Sequence, residues 1–222
     1  REVGDMWEIW EGKAHVTAGR TEILRLTKRT MKRFLNHGAP VRSVSFSPNG
    51  KFLASGGDDK TVKVWEVGSW REIATLKHES RVNSVTFSPD GKFLASGRKT
   101  VIEKTVVTRR SIDIIDVEFF IKEWGVVKVW EVGSWRQVAT LRHEKDDLSS
   151  VTFSPDGKFL ASGSDDSDDN TVKVWEVGSW RQVATLRHEK DDDLISVTFS
   201  PDGKFLASGS EDDTVKVWEV GS

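Results

Sequence analysis

The sequence predicts an all-β fold of four-stranded antiparallel units, because two strings of residues recur four times in the same order. The first string is FSPDGKFLASG, with Asn for Asp in one copy, and the second is VKVWEVGS. The first string begins at Phe46, Phe87, Phe153 and Phe199, and the tryptophans of the second string are Trp65, Trp130, Trp175 and Trp218. Repeated units of roughly 40–45 residues with four short strands each are the blades of a β-propeller.

Each unit divides into four strands separated by turn residues. The first strand ends at Phe87, where Ser88–Gly91 provide a turn with proline at its fixed φ and glycine at a positive φ. The second strand follows at Lys92–Ser96. In a later unit, β-branched and polar residues alternate over Thr171–Val177, which predicts the third strand, and a Gly-Ser turn leads into the fourth strand at Gln182–Leu186.

These units resemble WD repeats. Trp-Glu, as at Trp65-Glu66, stands where that family usually has Trp-Asp, and the resemblance covers residues 41–222 apart from one insertion. The turn, strand and tryptophan motifs recur together and in order, which makes the resemblance specific. It implies a closed ring of blades that serves as a non-catalytic platform for other macromolecules.

Residues 1–222 are predicted to form one propeller, and five blades are favoured. Their boundaries are 1–40, 41–80, 81–144, 145–189 and 190–222. The first blade is a diverged copy, since Gly12–His37 aligns with Gly50–His78 but has lost the blade tryptophan. The last unit stops after its third strand, and we expect the N-terminus to complete it, because closure removes exposed sheet edges.

A long insertion, Arg98–Gly125, separates the second and third strands of the blade at 81–144. Its segment Ser111–Trp124 is apolar and rich in β-forming residues, so it should pair with another strand. Two arrangements are open. The insertion is either a long hairpin growing from one blade, or Lys99–Thr105 is a third strand and 111–124 a sixth blade. We favour five blades plus the hairpin.

A His, a Ser, an Asp and a Trp recur together in three units. They are His37, Ser55, Asp59 and Trp65; His143, Ser162, Asp169 and Trp175; and His188, Ser208, Asp212 and Trp218. A Ser, a His and an Asp could form a catalytic triad, but a triad is a single site and has no reason to recur in each blade. The resemblance to WD repeats implies instead a buried structural hydrogen-bond chain, so no catalytic residue is assigned.

Acidic clusters and three tryptophans are the candidates for partner binding. The acids are Asp146, Asp147, Asp165, Asp166, Asp168, Asp169, Asp191, Asp192, Asp193, Glu211, Asp212 and Asp213, and the tryptophans are Trp70, Trp135 and Trp180. The acids either keep solvated loops soluble, dock a basic partner, or bind calcium, for which DDSDDN (Asp165–Asn170) offers oxygen ligands without the EF-hand spacing. The tryptophans either anchor an interface or cap the outer edges of their blades.

Composition excludes several classes of protein and site. The absence of cysteine excludes disulfides and thiolate metal sites, and no apolar run is long enough to span a bilayer. Phosphate-cradling loops of the GxxxxGK[ST] and GxGxxG types do not occur. Residues 1–143 carry 25 bases and 17 acids, whereas residues 144–222 carry 8 bases and 18 acids. This bipolar distribution gives no general case for nucleic-acid binding, which needs a coherent basic face. A cytoplasmic location suits a chain without cysteine.

The predicted function is therefore a non-catalytic scaffold that binds a protein or peptide, with a basic partner as one candidate. We assign no cofactor and no metal, and we expect a monomeric disc. Two other functions stay open. One is the sensor or regulatory propeller of a larger signalling ATPase or kinase, and the other is a propeller that binds a small ligand or calcium.

Overall fold

The structure is a computed structural model that describes residues 34–98, 103–111, 114–122, 125–143, 148–164, 171–188 and 194–220. Every regular element in these ranges is a β-strand, which confirms the all-β prediction. The chain divides into two compact units, Arg1–Phe34 and Leu35–Ser222. All described strands belong to the second unit.

Seventeen strands form four blade sheets and one hairpin in the described residues. Blade A comprises β1 (Val41–Phe46), β2 (Phe52–Gly57), β3 (Thr61–Glu66) and β4 (Glu72–Lys77). Blade B comprises β5 (Val82–Phe87), β6 (Phe93–Arg98), β9 (Val126–Glu131) and β10 (Gln137–Arg142), with the hairpin β7 (Glu103–Ser111) and β8 (Ile114–Lys122) between β6 and β9. Blade C comprises β11 (Leu148–Phe153), β12 (Phe159–Ser164), β13 (Thr171–Glu176) and β14 (Gln182–Arg187). Blade D comprises β15 (Leu194–Phe199), β16 (Phe205–Ser210) and β17 (Val215–Glu219).

Strands that follow one another within a blade pair antiparallel, and the register is the same in every blade. The leucine of the LASG string lies opposite the blade tryptophan each time, in the pairs Leu53–Trp65, Leu94–Trp130, Leu160–Trp175 and Leu206–Trp218. A shift in register interrupts the pairing of the first two strands in all four blades. Identical strings therefore give identical local structure, as the repeat predicts.

The inserted segment is a hairpin and not an additional blade. β6 pairs directly with β9, from Phe93 opposite Glu131 to Arg98 opposite Val126, so blade B has its four strands without the insertion. β7 and β8 pair only with each other in the described residues. The pairing thus selects the first of the two arrangements that the sequence left open.

The hydrophobic core lies between neighbouring blades. One face of blade A contributes Ala54, Val62, Val64 and Leu76, and it packs against Val82, Val85, Phe87, Leu94 and Trp130 of blade B. Equivalent residues build the interfaces between blades B and C and between blades C and D. Each blade therefore presents two different faces, which we call the valine face (Ala54, Val62 and Val64 in blade A) and the phenylalanine face (Val85, Phe87 and Leu94 in blade B).

Side-chain hydrogen bonds also join the first strands of neighbouring blades. The hydroxyl of Ser43 accepts a hydrogen bond from the amide of Val85 at 3.1 Å, and Ser84 accepts one from Val151 at 3.2 Å. These donors and acceptors occupy equivalent positions in successive blades. The first strands β1, β5 and β11 thus run side by side in the same direction, and equivalent loops lie at the same end of each blade.

The predicted first blade and its role in closure fall largely on residues outside the described ranges. Of residues 1–40 the structure describes only 34–40, and Gly221 and Ser222 are also outside them. Five blades, and completion of the last blade by the N-terminus, stay predictions. Within the described ranges, no helix has the length and apolar character needed to cross a membrane.

Candidate interaction surface

Two opposite rims follow from the antiparallel order of the strands. The connection between the second and third strands of a blade lies at the same end as the connection that enters its first strand. We call this end the acidic rim, because Asp58, Asp59 and Glu211–Asp213 occupy second-to-third-strand connections there. The hairpin β7–β8 replaces the equivalent connection of blade B and therefore belongs to the same rim. The Ser-Pro-Asp-Gly and Gly-Ser-Trp turns occupy the opposite rim.

Blade A joins its four recurring residues in one hydrogen-bond chain. Trp65 Nε1 donates to Ser55 Oγ at 2.9 Å, and Ser55 Oγ lies 2.9 Å from His37 Nδ1. His37 Nε2 lies 3.1 Å from Asp59 Oδ1. Because the Asp59 carboxylate can only accept, Nε2 carries the ring proton, and in the neutral imidazole Nδ1 then accepts the proton of the Ser55 hydroxyl. The chain ties the strand that carries Trp65 to the two loops of the acidic rim.

The Trp–Ser–His part of this chain of contacts recurs in blades B and C, and its His–Ser contact recurs in blade D, in the part of the protein that the structure describes. Ser96 Oγ accepts a hydrogen bond from Trp130 Nε1 at 2.9 Å and lies 2.9 Å from His78 Nε2. Ser162 Oγ accepts a hydrogen bond from Trp175 Nε1 at 2.9 Å and lies 2.6 Å from His143 Nε2. Blade D pairs His188 with Ser208. Asp169 lies outside the described residues, and Asp212 accepts hydrogen bonds from the amide and hydroxyl of Thr214.

Burial determines the charge of the histidine in blade C. His143 is fully buried, and this burial lowers the pKa of its imidazole from 6.5 to about 3, with a smaller contribution from the positive charge of Lys173. A neutral, buried imidazole that shares its serine with an indole cannot meet a substrate from solvent. The arrangement of Ser162 and His143 therefore suits a structural role and not nucleophilic catalysis.

The described acids of the acidic rim are partly engaged in local contacts. Asp58 accepts two hydrogen bonds from Arg42, both 2.8 Å long, and these lower the pKa of its carboxyl group. Burial opposes the ionisation of Asp59, but hydrogen bonds from Thr61 and the interaction with His37 together outweigh it, and the pKa of Asp59 is lowered. The Thr214 hydroxyl, as the main cause, lowers the pKa of Asp212. These carboxylates are therefore ionised at neutral pH.

The other predicted partner-binding acids lie outside the described residues. They are Asp146, Asp147, Asp165, Asp166, Asp168, Asp169, Asp191, Asp192 and Asp193. Their positions in the chain are nevertheless informative, because each group connects two described strands. They join β10 to β11, β12 to β13 and β14 to β15, which are the connections that define the acidic rim. Within the described ranges, no group of three or more acidic or histidine side chains could hold a metal ion.

The three turn tryptophans lie on the opposite rim and are half-buried. Trp135 packs edge-on against Phe52 of blade A with ring centroids 5.4 Å apart, and Trp180 packs in the same way against Phe93 of blade B at 5.2 Å. These two rings thus bridge to the preceding blade, an arrangement that neither predicted role included. Trp70, Trp135 and Trp180 all have a positive φ near 55°, which is costly for a residue with a Cβ. In Trp135 and Trp180 the contact with phenylalanine helps to offset that cost.

Sequence reasoning missed the buried lysines of the VKVW strings. Lys128 is buried, and its Nζ donates to the carbonyl of Lys77 at 3.1 Å and lies 3.2 Å from Glu79 Oε1. The same Nζ lies 5.7 Å from the centre of the Trp130 ring. The sequence pattern that could have predicted this burial is the lysine that stands between two valines in all four VKVW strings. A residue on an exposed face would be free to differ from blade to blade.

A family comparison places this geometry among known proteins. The model of the family described as WD domain, G-beta repeat matches residues 28–66, 70–101, 135–176 and 180–219. These segments cover more than half of the chain. The crystal structure of RRP9 WD40 repeats superposes with a TM-score of 0.65 and 25% sequence identity over 85% of this chain and 51% of that one.

Two further relatives differ in how much of this chain they match. The ribosome biogenesis protein BOP1 homolog of Dictyostelium discoideum is 59% identical over 44 residues, which are 20% of this chain and 5% of that protein. Protein hir1 of Aspergillus fumigatus is 26% identical over 158 residues, or 71% of this chain and 15% of that protein. This chain therefore spans only a small part of the relatives' length, and the first match has the length of a single repeat.

Proposed function

The chain belongs to the WD40 repeat family, and from that premise we propose that it is a non-catalytic platform that binds a protein or peptide with a basic surface. The observation that carries the proposal is the concentration of acidic loops on one rim. Loops that vary on a rigid scaffold are the usual place for binding residues.

The recurring serines and histidines support the non-catalytic part of the proposal. In blades A, B and C, the serine hydroxyl accepts a hydrogen bond from a buried indole and contacts a buried histidine. The same buried hydrogen bonds engage the serine hydroxyl in all three blades. Such a hydroxyl stabilises its blade and is not available as a nucleophile.

The charge of the acidic rim supports a basic partner. Residues 144–222 have 18 acids and 8 bases, and the connections before and within blades C and D hold most of the clustered aspartates. A concentrated negative field attracts a cationic partner and speeds its association at low ionic strength. The names of the relatives do not identify that partner, because the match to the ribosome biogenesis protein covers one repeat length.

The test neutralises one loop of the acidic rim in the full chain. Changing Asp191–Asp193 to Asn should weaken binding of a lysine-rich peptide and flatten its dependence on salt, as measured by fluorescence anisotropy. The matched control removes the same number of charges from the opposite rim by changing Glu66, Glu131 and Glu176 to Gln. Equal losses in both variants would contradict the proposal, because only net charge would then matter.

A further inference from the structure

Blades A and D each leave one apolar face uncovered. The phenylalanine face of blade A exposes Val44 to 63% and Phe46 to 58%. Their equivalents at the three internal interfaces are exposed by 4–8%; they are Val85, Val151, Val197, Phe87, Phe153 and Phe199. The contrast is between identical residues at equivalent positions of the repeat, so it reflects the absence, among the described residues, of a blade packed on this face.

The valine face of blade D is uncovered in the same way. Val215 and Val217 are 70% and 62% exposed. The equivalent valines of the other blades are exposed by 0–8%; they are Val62, Val64, Val127, Val129, Val172 and Val174. Contiguous apolar surface of this kind marks an interaction site on a soluble domain.

The glycine of the LASG string gives an independent measure of the same opening. A Cβ added at Gly56 would lie 2.7 Å from Val82, and one added at Gly163 would lie 2.3 Å from Leu194, because the next blade packs directly on these positions. A Cβ at Gly209 of blade D would meet nothing within 4 Å. Blade D is therefore shaped to receive a further phenylalanine face that the described residues do not place there.

The two open faces are the two halves of one interface. Every internal interface joins a valine face to a phenylalanine face, and within the described residues the valine face of blade D and the phenylalanine face of blade A are uncovered. Since both remain exposed, they do not cover each other within one chain. Residues 1–33 do not contain the Phe-Ser-Pro string that ends each first strand, so they lack the motif that forms a phenylalanine face.

We propose that a second copy of this chain covers both faces, with blade D of each copy packed against blade A of the other. One two-fold arrangement satisfies both faces of both copies and leaves neither exposed. It would continue the blade-to-blade packing of a single chain into a ring of eight blades, within the range of about four to eight blades known for propellers. It is an alternative to the five-bladed monomeric disc expected from the sequence, and the mass of the particle decides between the two.

The first measurement is the mass of the full chain in solution, by sedimentation velocity across a dilution series. Two chains of 25.0 kDa each are expected in one particle, with dissociation on dilution. Gly209→Val should shift the particle to a single chain with the melting temperature that the unaltered protein has once dilution has separated its chains, because the added side chain has free space within its own chain. In Gly163→Val the same change should destabilise the fold, since that side chain would collide with Leu194.

A charge exchange identifies the surfaces that meet. Val44→Glu and Val215→Lys should each give single chains, and a mixture of the two variants should recover the two-chain particle through the new ion pair. Val183→Glu, on an exposed position of β14 outside both faces, should leave the mass unchanged. A single-chain mass for the unaltered protein at every concentration would overturn the proposal. A lowered melting temperature in Gly209→Val without a change of mass would also overturn it, because the same chain would then cover blade D.

Discussion

At the scale of single residues, the buried indoles of the blades hold the loops of the acidic rim through serine and histidine. Sequence reasoning could select these residues, because a polar residue repeated in every blade must satisfy the same local geometry. It could not give the ring nitrogens, since His37 contacts its serine through Nδ1 whereas His78 and His143 do so through Nε2. The orientation of an imidazole ring against its serine cannot be predicted from the sequence.

The indole of Trp175 provides a test of this chain of contacts. Trp175→Phe removes the donor that Ser162 accepts from, and it should lower the free energy of unfolding by about 1–3 kcal/mol. Denaturant unfolding monitored by circular dichroism would measure the loss. Trp180→Phe is the control, because its described contact is a ring contact with Phe93 that a phenyl ring can keep. Equal stabilities for both variants would argue against the hydrogen-bond role of Trp175.

The buried imidazole of His143 makes stability depend on pH. Its folded pKa of about 3 lies below its ordinary value of 6.5, so between these values the unfolded chain binds the additional proton. The free energy of unfolding should therefore fall as the pH is lowered from 6.5 towards 3. His143→Gln should reduce this slope when urea unfolding is compared at pH 5 to 7, above the range of the carboxylates. An unchanged slope would show that His143 is accessible to protons in the folded state.

At the scale of elements, the strands were predictable because turn and strand residues recur in fixed order. The hairpin was harder, since Arg98–Gly125 has no second copy in the chain to compare with. Its pairing depends on a long-range fact, the direct contact of β6 with β9. The contacts of Trp135 and Trp180 with the preceding blade were not predictable either, because a local pattern does not reveal which neighbour a turn will touch.

The hairpin should be dispensable for the fold of blade B. Replacing Lys99–Gly125 with Asp-Asp-Lys, the connection that joins β2 to β3 in blade A, preserves the register of β6 and β9. Because loop length alone changes stability little, the free energy of unfolding should stay within about 1 kcal/mol of the original. Thermal unfolding measures this. A large loss would mean that β7 and β8 support the blade, whereas lost peptide binding with intact stability would place the hairpin in the binding surface.

At the scale of the whole molecule, the repeat predicts the fold class and the family, but not the state of its ends. Val44 and Val85 have equivalent neighbours in sequence and opposite exposure in the structure. The difference arises from position in the array, which a repeat motif does not encode. The same holds for charge, since the motif strings of each blade are alike and the acids that distinguish the C-terminal part lie in the connections between them.

Those acids should lower the stability of the protein in the absence of a partner. Like charges held near one another repel, and mobile ions screen this repulsion over a Debye length of about 10 Å at 0.1 M salt. Added sodium chloride should therefore raise the melting temperature of the unaltered chain. Changing Asp191–Asp193 to Asn relieves about 0.2–1 kcal/mol of repulsion, by comparison with exposed ion pairs. For a chain of this size, such a gain raises the melting temperature by about 0.4–4 °C.

The salt dependence of the Asn variant should be smaller in the same measurement, because fewer charges remain to be screened. Differential scanning calorimetry at low and high salt gives both quantities from one pair of proteins. A variant with a lower melting temperature at low salt would contradict the repulsion argument, since Asp191–Asp193 would then make favourable contacts in the folded chain. The binding role of the acidic rim would still be decided separately, by the peptide measurement and its control on the opposite rim. Repulsion and recognition thus have different signatures, one in the unfolding of the free chain and the other in the salt dependence of its complex.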